Sequence, residues 1–286
     1  MPLRHHIPSP FEHVQDTEFG RWEFFDTLFG DTVEWDLPAI HLPFLDHPRQ
    51  ITKFMVLELI VAALLLLIFV PLARKARGGA LPKGPWWNAF ESLLTFVRNE
   101  IARPNLGEHE ADKYVPFLWT LFTFVLFCNL LGMLPFLGSP TASIWATGAL
   151  AVCAFVMMHG AAIVKVGPVK YVKGLWPHID VPYVGWFFSA MIFVIEFLGT
   201  FIKAGVLAVR LFANMFAGHM VLAMILLFIV IVGQAGFSGL WAGVTFASVV
   251  GVAALSLLEI FVAFLQAYIF TFLTALFMGM SLHPEH

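Results

Sequence analysis

The stretch Glu196 to Gly218 reads EFLGTFIKAGVLAVRLFANMFAG and governs the interpretation of the whole chain. It is long, apolar and free of proline, which predicts a helix. Glu196, Lys203 and Arg210 nevertheless stand inside it, seven residues apart. Seven residues fall about 20° short of two helical turns, so the three charges form one nearly straight stripe. Asn214, four residues after Arg210, extends this stripe.

Arg210 is the most unusual of these residues because its charge lies in the middle of an apolar segment. An arginine at the centre of a membrane helix costs roughly 2.5–3.5 kcal/mol on insertion scales. Its guanidinium must therefore face protein, water or a counter-charge. One interpretation is a structural salt bridge to a neighbouring helix. The other, which the three-charge stripe favours, is a functional site.

The composition is that of a polytopic membrane protein. Of the 286 residues, 59% are hydrophobic and only 12% are charged, whereas soluble domains are about 45–50% apolar and about 25% charged. The apolar runs are long enough for helices, and none alternates as the strands of an outer-membrane barrel do. The sequence therefore predicts an all-α membrane protein with about five membrane helices and one interfacial amphipathic helix.

Hydropathy, proline and charge divide the chain into six segments. They are an acidic N-terminal segment at 1–50, a first membrane helix at 51–72, a loop with a surface helix at 73–114, a membrane hairpin at 115–164, a basic loop at 165–182 and a long helical hairpin at 183–286. The two helices of the last hairpin are each far longer than a span requires. The 47 residues from Trp186 to Val232 contain no proline and make about 70 Å of helix, against a hydrocarbon core of about 30 Å. Each long helix must therefore be broken or steeply tilted, and we expect steep tilt.

The surface helix is predicted at Trp86 to Arg103, where apolar and charged positions mix at helical spacing. One face is apolar and the charged residues lie away from it, which is typical of a helix lying on the bilayer. A helix packed on a soluble partner is the alternative. The two cysteines, Cys128 and Cys153, stand in apolar segments and are interpreted as small core residues.

The charges of the loops predict the orientation. The 73–114 loop has seven lysines and arginines and the 165–182 loop has three, whereas 138–141 and 233–239 have none. By the positive-inside rule the basic loops are cytoplasmic. The acidic N-terminal segment is then outside and the C-terminus inside.

The final helix holds a second polar stripe, Glu259 and Gln266, again seven residues apart. In an antiparallel hairpin that turns near residue 238, Gln266 lies level with Arg210 and Glu259 level with His219. His219 is on the opposite face from Arg210 and about 13 Å further along the helix. The second level is therefore a separate site, which is either a proton relay or a static buried pair.

The motifs of common enzyme classes are absent from the sequence. There is no HExxH, no GxSxG, no GxxxxGK[ST] nucleotide loop and no histidine or cysteine spacing typical of zinc. We therefore predict no metal, no cofactor, no nucleic-acid partner and no catalytic site of the chain's own.

Three stretches identify a family resemblance. VLAVRLFANMFAGH at 206–219, LQAYIFTFLTALF at 265–277 and NLLGMLP at 129–135 closely resemble the a subunit of F-type ATP synthases, and the order of elements is similar from about residue 40 to 282. The resemblance implies two steeply inclined final helices that embrace a ring of c subunits. It also implies b-type peripheral stalk subunits and the remainder of the complex as partners, in contact with membrane lipid. A bacterial plasma membrane is the expected location, with organellar inner membranes as the alternative.

The resemblance also implies roles for single residues. Arg210 would stabilise the ionised carboxylate of each c subunit, with Asn214 and Gln266 flanking that contact. The resemblance also implies that His219 and Glu259 line the outer half-channel and that Glu196, nearer the cytoplasmic end of its helix, lies by the inner one. Asn129, and less firmly Thr141, would add to the outer path. Lys203 is the remaining candidate for proton translocation.

A proton-coupled secondary transporter is the main alternative from another class of protein. Such transporters are commonly built from two repeated halves with broken helices near the midplane. The sequence contains no repeat of the Arg210 segment. Co-purification with a ring of small two-helix proteins distinguishes the two alternatives.

Overall fold

A computed structural model of the chain describes residues 53–77, 84–134, 139–174, 185–234 and 238–282. Within these ranges every regular element is a helix. The α-helices are α1 (Lys53–Arg77), α2 (Pro85–Phe96), α3 (Arg103–Leu106), α4 (Glu108–Gly132), α5 (Ile144–Val166), α6 (Pro168–Gly174), α7 (Gly185–Gln234) and α8 (Ser238–Leu282). A π-helical segment, Val97–Ala102, joins α2 to α3, and a 3-10 turn, Pro140–Ala142, precedes α5. The acidic N-terminal segment at 1–50 lies outside the described residues.

Five of these helices, α1, α4, α5, α7 and α8, are long and apolar enough to cross a membrane. This confirms the prediction of an all-α polytopic membrane protein. The first two spans differ in their bounds from the prediction. Helix α1 continues through Pro71 to Arg77, and α4 begins at Glu108 with Pro116 inside it. A proline inside a membrane helix is tolerated because neighbouring groups satisfy the carbonyl that it frees.

The two long helices are unbroken. Helix α7 has 50 residues and α8 has 45, so at 1.5 Å per residue they measure about 75 Å and about 68 Å. Of the two alternatives for the excess length, a break within the helix is therefore wrong. Both lengths exceed the hydrocarbon thickness of about 30 Å more than twofold, and steep tilt stays a prediction.

The surface helix is longer than predicted and changes its winding. After α2 the π-helical segment runs to Ala102, and α3 then ends at Leu106. Val97 and Ile101 are fully buried, whereas Glu100 is exposed. The amide of Asn105 donates to the carbonyl of Ile101 at 2.7 Å, inside the π-helical segment. The segment is thus amphipathic, as the spacing of its apolar residues indicates.

The basic segment 165–182 was predicted as a loop, but part of it is helical. Gly167 has a φ of 89°, which glycine adopts without strain. Its N–H donates to the carbonyl of Ile163 and closes α5. Pro168 then begins α6, because proline is favoured in the first turn of a helix.

The chain divides into two compact units, which are described separately. One comprises the described residues of 53–67, 124–146 and 212–265; the other comprises those of 68–123, 147–211 and 266–282. In the first, Phe54 and Leu57 of α1 pack with Leu131 of α4. In the second, the ring of Phe96 contacts those of Phe122 and Tyr268.

Burial differs strongly between the spans. In the most apolar part of α4, 56% of the residues are buried within the chain, against 6% in α7. The apolar surface of α7 is therefore left for lipid or for other proteins. The sequence predicts that both cysteines lie in the core. Cys128 is buried in α4, but Cys153 is exposed on α5, so the prediction is wrong for Cys153. In a membrane span an apolar residue gains nothing by facing inward, so hydropathy does not predict its burial.

Candidate functional site

Arg210 lies in the middle of α7 and its side chain is exposed. It forms no hydrogen bond or ion pair with any residue that the structure describes. The residues around it on α7 are apolar and also exposed: Ile202 by 62%, Val206 by 47% and Val209 by 55%. A permanent cation therefore stands on an otherwise apolar outer surface. This is an arrangement that lipid alone does not support.

The other two charges of the stripe differ in their surroundings. Glu196 is exposed, and Lys203 is half-buried. The Lys203 ammonium lies 5.4 Å from the centroid of the Phe277 ring in α8, within range of a cation–π contact. The negative face of the ring therefore helps to hold the ammonium inside the apolar layer.

Asn214 and Glu259 line the same cavity. The cavity has a volume of about 220 Å³. Its lining residues come from α7 and α8 and are Asn214, Met215, Ala217, Gly218, Val221, Leu255, Leu258, Glu259 and Val262. Its walls are otherwise apolar. The Glu259 side chain, which is half-buried, lies against Gly218: a Cβ atom at residue 218 would stand 2.4 Å from Glu259 Oε1. Glycine is therefore required for α7 and the carboxylate to come this close.

His219 follows Gly218 on α7 and is half-buried. Because Gly218 lies against Glu259, the two helices pass each other at this level. His219 is not among the residues that line the cavity. The pairing of His219 with Glu259 therefore stays a prediction.

Gln266, on α8, is 5% exposed, and its Nε2 atom has no hydrogen-bond partner among the described residues. An amide donor left unpaired in a buried site costs about 1–3 kcal/mol. Such a cost is commonly retained where a group serves a function or contacts a molecule that is not part of the chain. Gln266 is thus a candidate for contact with a molecule outside the chain, and its role beside Arg210 stays a prediction.

Asn129, on α4, is fully buried and is held by a network of hydrogen bonds. Its Nδ2 donates to the carbonyl of Ala263 at 3.3 Å, and its Oδ1 accepts from the Thr141 hydroxyl at 2.7 Å. The Ser139 hydroxyl is 2.7 Å from that of Thr141. All three polar side chains are buried. Asn129 is therefore rigidly oriented toward α8, one helical turn from Glu259.

The structure adds residues that sequence reasoning missed. Ser139 belongs to the Asn129 network, and His159 of α5 is hydrogen-bonded to Tyr171 of α6. A histidine within an apolar span was a signal available in the sequence, since polar residues at membrane depth are rare and commonly functional. Tyr171 carried no such signal because its role depends on the corner at Gly167. Among the described residues, no group of three or more metal-ligating side chains gathers to form a metal site.

The part of this chain that is similar to known proteins includes most of both long helices and the polar residues described above. The family model of the ATP synthase A chain matches residues 55–279. The chain belongs to the ATP synthase A chain family. Two similar relatives are the ATP synthase subunit a of Myxococcus xanthus, 39% identical over 83% of this chain and 74% of its own length, and that of Chlorobium phaeobacteroides, 40% identical over 96% of this chain and 75% of its own.

Other relatives are longer than this chain. ATP synthase subunit a of Anaeromyxobacter dehalogenans is 40% identical over 87% of this chain, which covers only 63% of that protein. Membership of the family and five apolar helices together make this a multi-pass membrane protein.

Proposed function

We propose that this chain is the stator subunit of the membrane sector of an F-type ATP synthase. In this role it provides two offset proton half-channels and presents Arg210 to the carboxylates of a c-subunit ring, so that proton flow is coupled to rotation. The observation that carries the proposal is Arg210 itself, which is exposed on a membrane helix and forms no hydrogen bond or ion pair with any described residue. Family membership supports the same role.

The physical reason is that no described residue neutralises Arg210, and in this proposal a second molecule supplies the counter-charge. Arginine stays protonated in proteins, so it stabilises the ionised form of any carboxylate that reaches it. Away from the arginine and in lipid, an isolated carboxylate is costly and takes up a proton. A carboxylate that moves past Arg210 therefore releases its proton on one side and regains one on the other. The same positive charge opposes a direct proton leak between the two sides.

The outer half-channel is assigned to Asn129, His219 and Glu259, with Asn214 at its inner end. Support comes from the cavity that Asn214 and Glu259 line together. The buried Asn129 network lies one helical turn away along α8. These side chains provide carboxylate, imidazole and amide groups within an otherwise apolar layer.

The inner half-channel is assigned to Glu196 and Lys203. Both lie on α7 between its beginning at Gly185 and Arg210. Gln266 is assigned to the contact with the ring, where an acceptor from outside the chain, such as an ionised carboxylate, would accept a hydrogen bond from its Nε2 atom.

The partners in this proposal are the c-subunit ring, b-type peripheral stalk subunits and the rest of the ATP synthase, together with lipid. The exposed apolar surface of α7 supports a large membrane-embedded partner. ATP chemistry belongs to other subunits. The proposed location is a bacterial plasma membrane, with organellar inner membranes as the alternative. The loop charges favour an orientation with the N-terminus outside and the C-terminus in the cytoplasm.

Co-purification distinguishes this function from that of a proton-coupled transporter. The chain is expressed with its native membrane partners and isolated through an affinity tag. A stator subunit is expected to bring a ring of small two-helix proteins at a fixed ratio. Isolation of the chain alone in fully active form would favour the transporter.

Substitution of the arginine tests the mechanism. Arg210→Gln and Arg210→Ala are expected to abolish ATP-driven proton pumping while the complex remains assembled. Pumping is measured by quenching of a pH-sensitive dye in vesicles, and assembly by native electrophoresis. Arg98→Gln is the matched control, because Arg98 lies outside the membrane spans. Normal coupled pumping in either Arg210 variant would refute the assignment.

The outer path has its own test. His219→Ala is expected to slow proton flux without uncoupling it from ATP hydrolysis. Exchange of His219 and Glu259 is expected to restore more flux than either single change. Losses that simply add would count against the two residues working as a pair.

A further inference from the structure

His159 and Tyr171 form a polar pair at the corner between α5 and α6. The left-handed conformation of Gly167 ends α5 and folds the chain back. Helix α6 follows at once and brings the Tyr171 hydroxyl to His159 Nδ1, where the two form a short hydrogen bond. Their rings meet edge to face with centroids 5.9 Å apart. The pair is therefore oriented by backbone geometry as well as by its own contact.

His159 lies inside a membrane span. It stands seven residues before the end of α5 at Val166, which places it about 10 Å from that end. Its second ring nitrogen, Nε2, is buried and has no hydrogen-bond partner among the described residues. A buried polar atom without a hydrogen-bond partner is rare and calls for an explanation. One explanation is that Nε2 binds a proton only transiently.

The pair is close to the inner side of the charged stripe on α7. The rings of Phe155 and Phe201 contact each other, with centroids 5.2 Å apart, so α5 packs on α7 two residues before Lys203. His159 lies near enough to Lys203 for their charges to interact, and Tyr171 near enough to Glu196. These are the charged groups that face the pair from α7.

At the end of α5 itself, Lys165 is already paired. Its ammonium lies 3.0 Å from a carboxylate oxygen of Glu110 in α4. Lys165 therefore has a counter-charge within the chain. Between Phe155 and Lys165, all of which the structure describes, His159 is the residue of α5 that can titrate.

Tyr171 does not act as a base. Burial, and after it the negative charge of Glu196, raise the pKa of the phenol. The hydroxyl therefore stays neutral at physiological pH. It serves as a fixed hydrogen-bond partner that orients the imidazole.

We propose that His159, oriented by Tyr171, is a proton-exchanging residue of the half-channel on the side of the basic loop. This role presupposes that the chain is the stator subunit proposed above. A proton from the basic-loop side binds to Nε2 and forms an imidazolium. The same proton then leaves Nε2 toward the Glu196–Lys203 side of α7 and restores the neutral ring. Throughout, Nδ1–H donates to the Tyr171 oxygen, so one proton enters, one leaves and no other reactant is consumed.

The first test removes the imidazole. ATP synthase containing His159→Gln is reconstituted in liposomes, and ATP-driven proton pumping is measured while the pH on the basic-loop side is varied. We expect a loss of about a hundredfold at neutral pH, the lower end of the range for loss of a positioned proton-transfer group, and a flatter dependence on that pH. His109→Gln, an exposed histidine at the start of α4, is the matched control and is expected to leave both unchanged.

The second test removes only the orienting hydroxyl. Tyr171→Phe keeps the ring and is expected to lower pumping less than His159→Gln, with the pH dependence shifted. Tyr114→Phe, a buried tyrosine of α4, is the control. Imidazole added on the basic-loop side is expected to restore flux to His159→Ala, but imidazole on the other side is not. Tyr171→Phe decides the matter if the His159 variants fail to assemble.

The outcomes separate this role from the proposed function. If Arg210→Gln abolishes pumping while His159→Gln and Tyr171→Phe retain the wild-type rate and pH dependence, His159 has no role in proton exchange and the stator assignment stands. If Arg210→Gln pumps normally, the stator assignment fails, whatever the His159 variants do. Slower flux in His159→Ala without rescue by imidazole on either side would indicate a structural role and overturn the inference.

Discussion

Arg98 and Arg210 carry the same charge in opposite settings. Arg98, in the surface helix, donates to both carboxylate oxygens of Asp112, at 2.7 Å and 2.6 Å, and both side chains remain largely exposed. Arg210, in the middle of α7, has no such partner among the described residues. Near water a salt bridge stabilises a protein by about 0–1 kcal/mol. Loss of the pair between Arg98 and Asp112 would therefore change stability little. At membrane depth an unpartnered arginine is costly, which supports the proposal that another molecule supplies its partner.

The buried amide side chains of Asn129 and Gln266 differ in the same way, since one has partners within the chain and the other has none among the described residues. Asn129 is bonded on both sides of its side chain, to Ala263 and to Thr141. Gln266 is equally buried but leaves its Nε2 unbonded within the described part of the chain. The amide assigned to the outer half-channel is thus satisfied within the chain, whereas the amide assigned to the contact with the ring is not satisfied by any described residue. This difference can be tested by matched substitutions.

The largest expected difference is that between Arg210→Lys and Arg98→Lys in the rate of proton pumping. An ammonium is a point charge that loses its proton when desolvated, whereas a guanidinium does not. Arg210→Lys is therefore expected to reduce ATP-driven proton pumping by about a hundredfold or more, the lower end of the range for loss of an oriented electrostatic group. Arg98→Lys keeps a charge near Asp112 and is expected to pump at the wild-type rate. Equal pumping rates in Arg210→Lys and Arg98→Lys would mean that the guanidinium matters no more at residue 210 than at residue 98.

The two amides are expected to differ in how much each stabilises the folded subunit. Asn129→Leu leaves the Thr141 hydroxyl and the Ala263 carbonyl without their partner, so we expect a loss of about 1–3 kcal/mol in the free energy of unfolding. Gln266→Leu removes an atom that has no described partner and is expected to leave stability unchanged but to slow pumping. Thermal unfolding of the purified complex and dye quenching in vesicles measure the two quantities. A destabilised Gln266→Leu protein would indicate an internal partner for Gln266.

Gly218→Ala is expected to have a smaller effect, confined to function. The added methyl would stand 2.4 Å from Glu259 Oε1, and the flexible carboxylate side chain can move away. We therefore expect slower proton flux with little loss of stability. Gly148→Ala is the matched control because nothing lies within 4 Å of its added methyl. Unchanged flux in Gly218→Ala would mean that the position of Glu259 is not critical.

Much of the fold follows from the sequence because membrane helices are long and their signals are strong. The length of α7 follows from the run of residues without proline, and the helical geometry that aligns Glu196, Lys203 and Arg210 follows from their spacing alone. The prediction of about five spans needed only hydropathy. The exposure of Cys153 did not follow, since lipid accepts apolar side chains as readily as the protein interior does.

The contacts that depend on turns could not be predicted in the same way. Tyr171 reaches His159 only because Gly167 adopts a positive φ, and the sequence indicates a turn there without its direction. The 3-10 turn at Pro140–Ala142 brings the Thr141 hydroxyl to Asn129 and the Ser139 hydroxyl to Thr141. Spacing along one helix is fixed by its period, whereas spacing across a corner is fixed by two or three dihedral angles.

The smallest expected effect compares two buried threonines. The Thr141 hydroxyl donates to Asn129 Oδ1, so Thr141→Val leaves that oxygen and Ser139 without a partner and is expected to cost about 1 kcal/mol. The Thr274 hydroxyl donates only to the carbonyl of Phe270 in its own helix, which the backbone already satisfies. Thr274→Val is therefore expected to change the midpoint of thermal unfolding by less than Thr141→Val does. Equal midpoints would mean that the network around Asn129 contributes no more than a local bond within a helix.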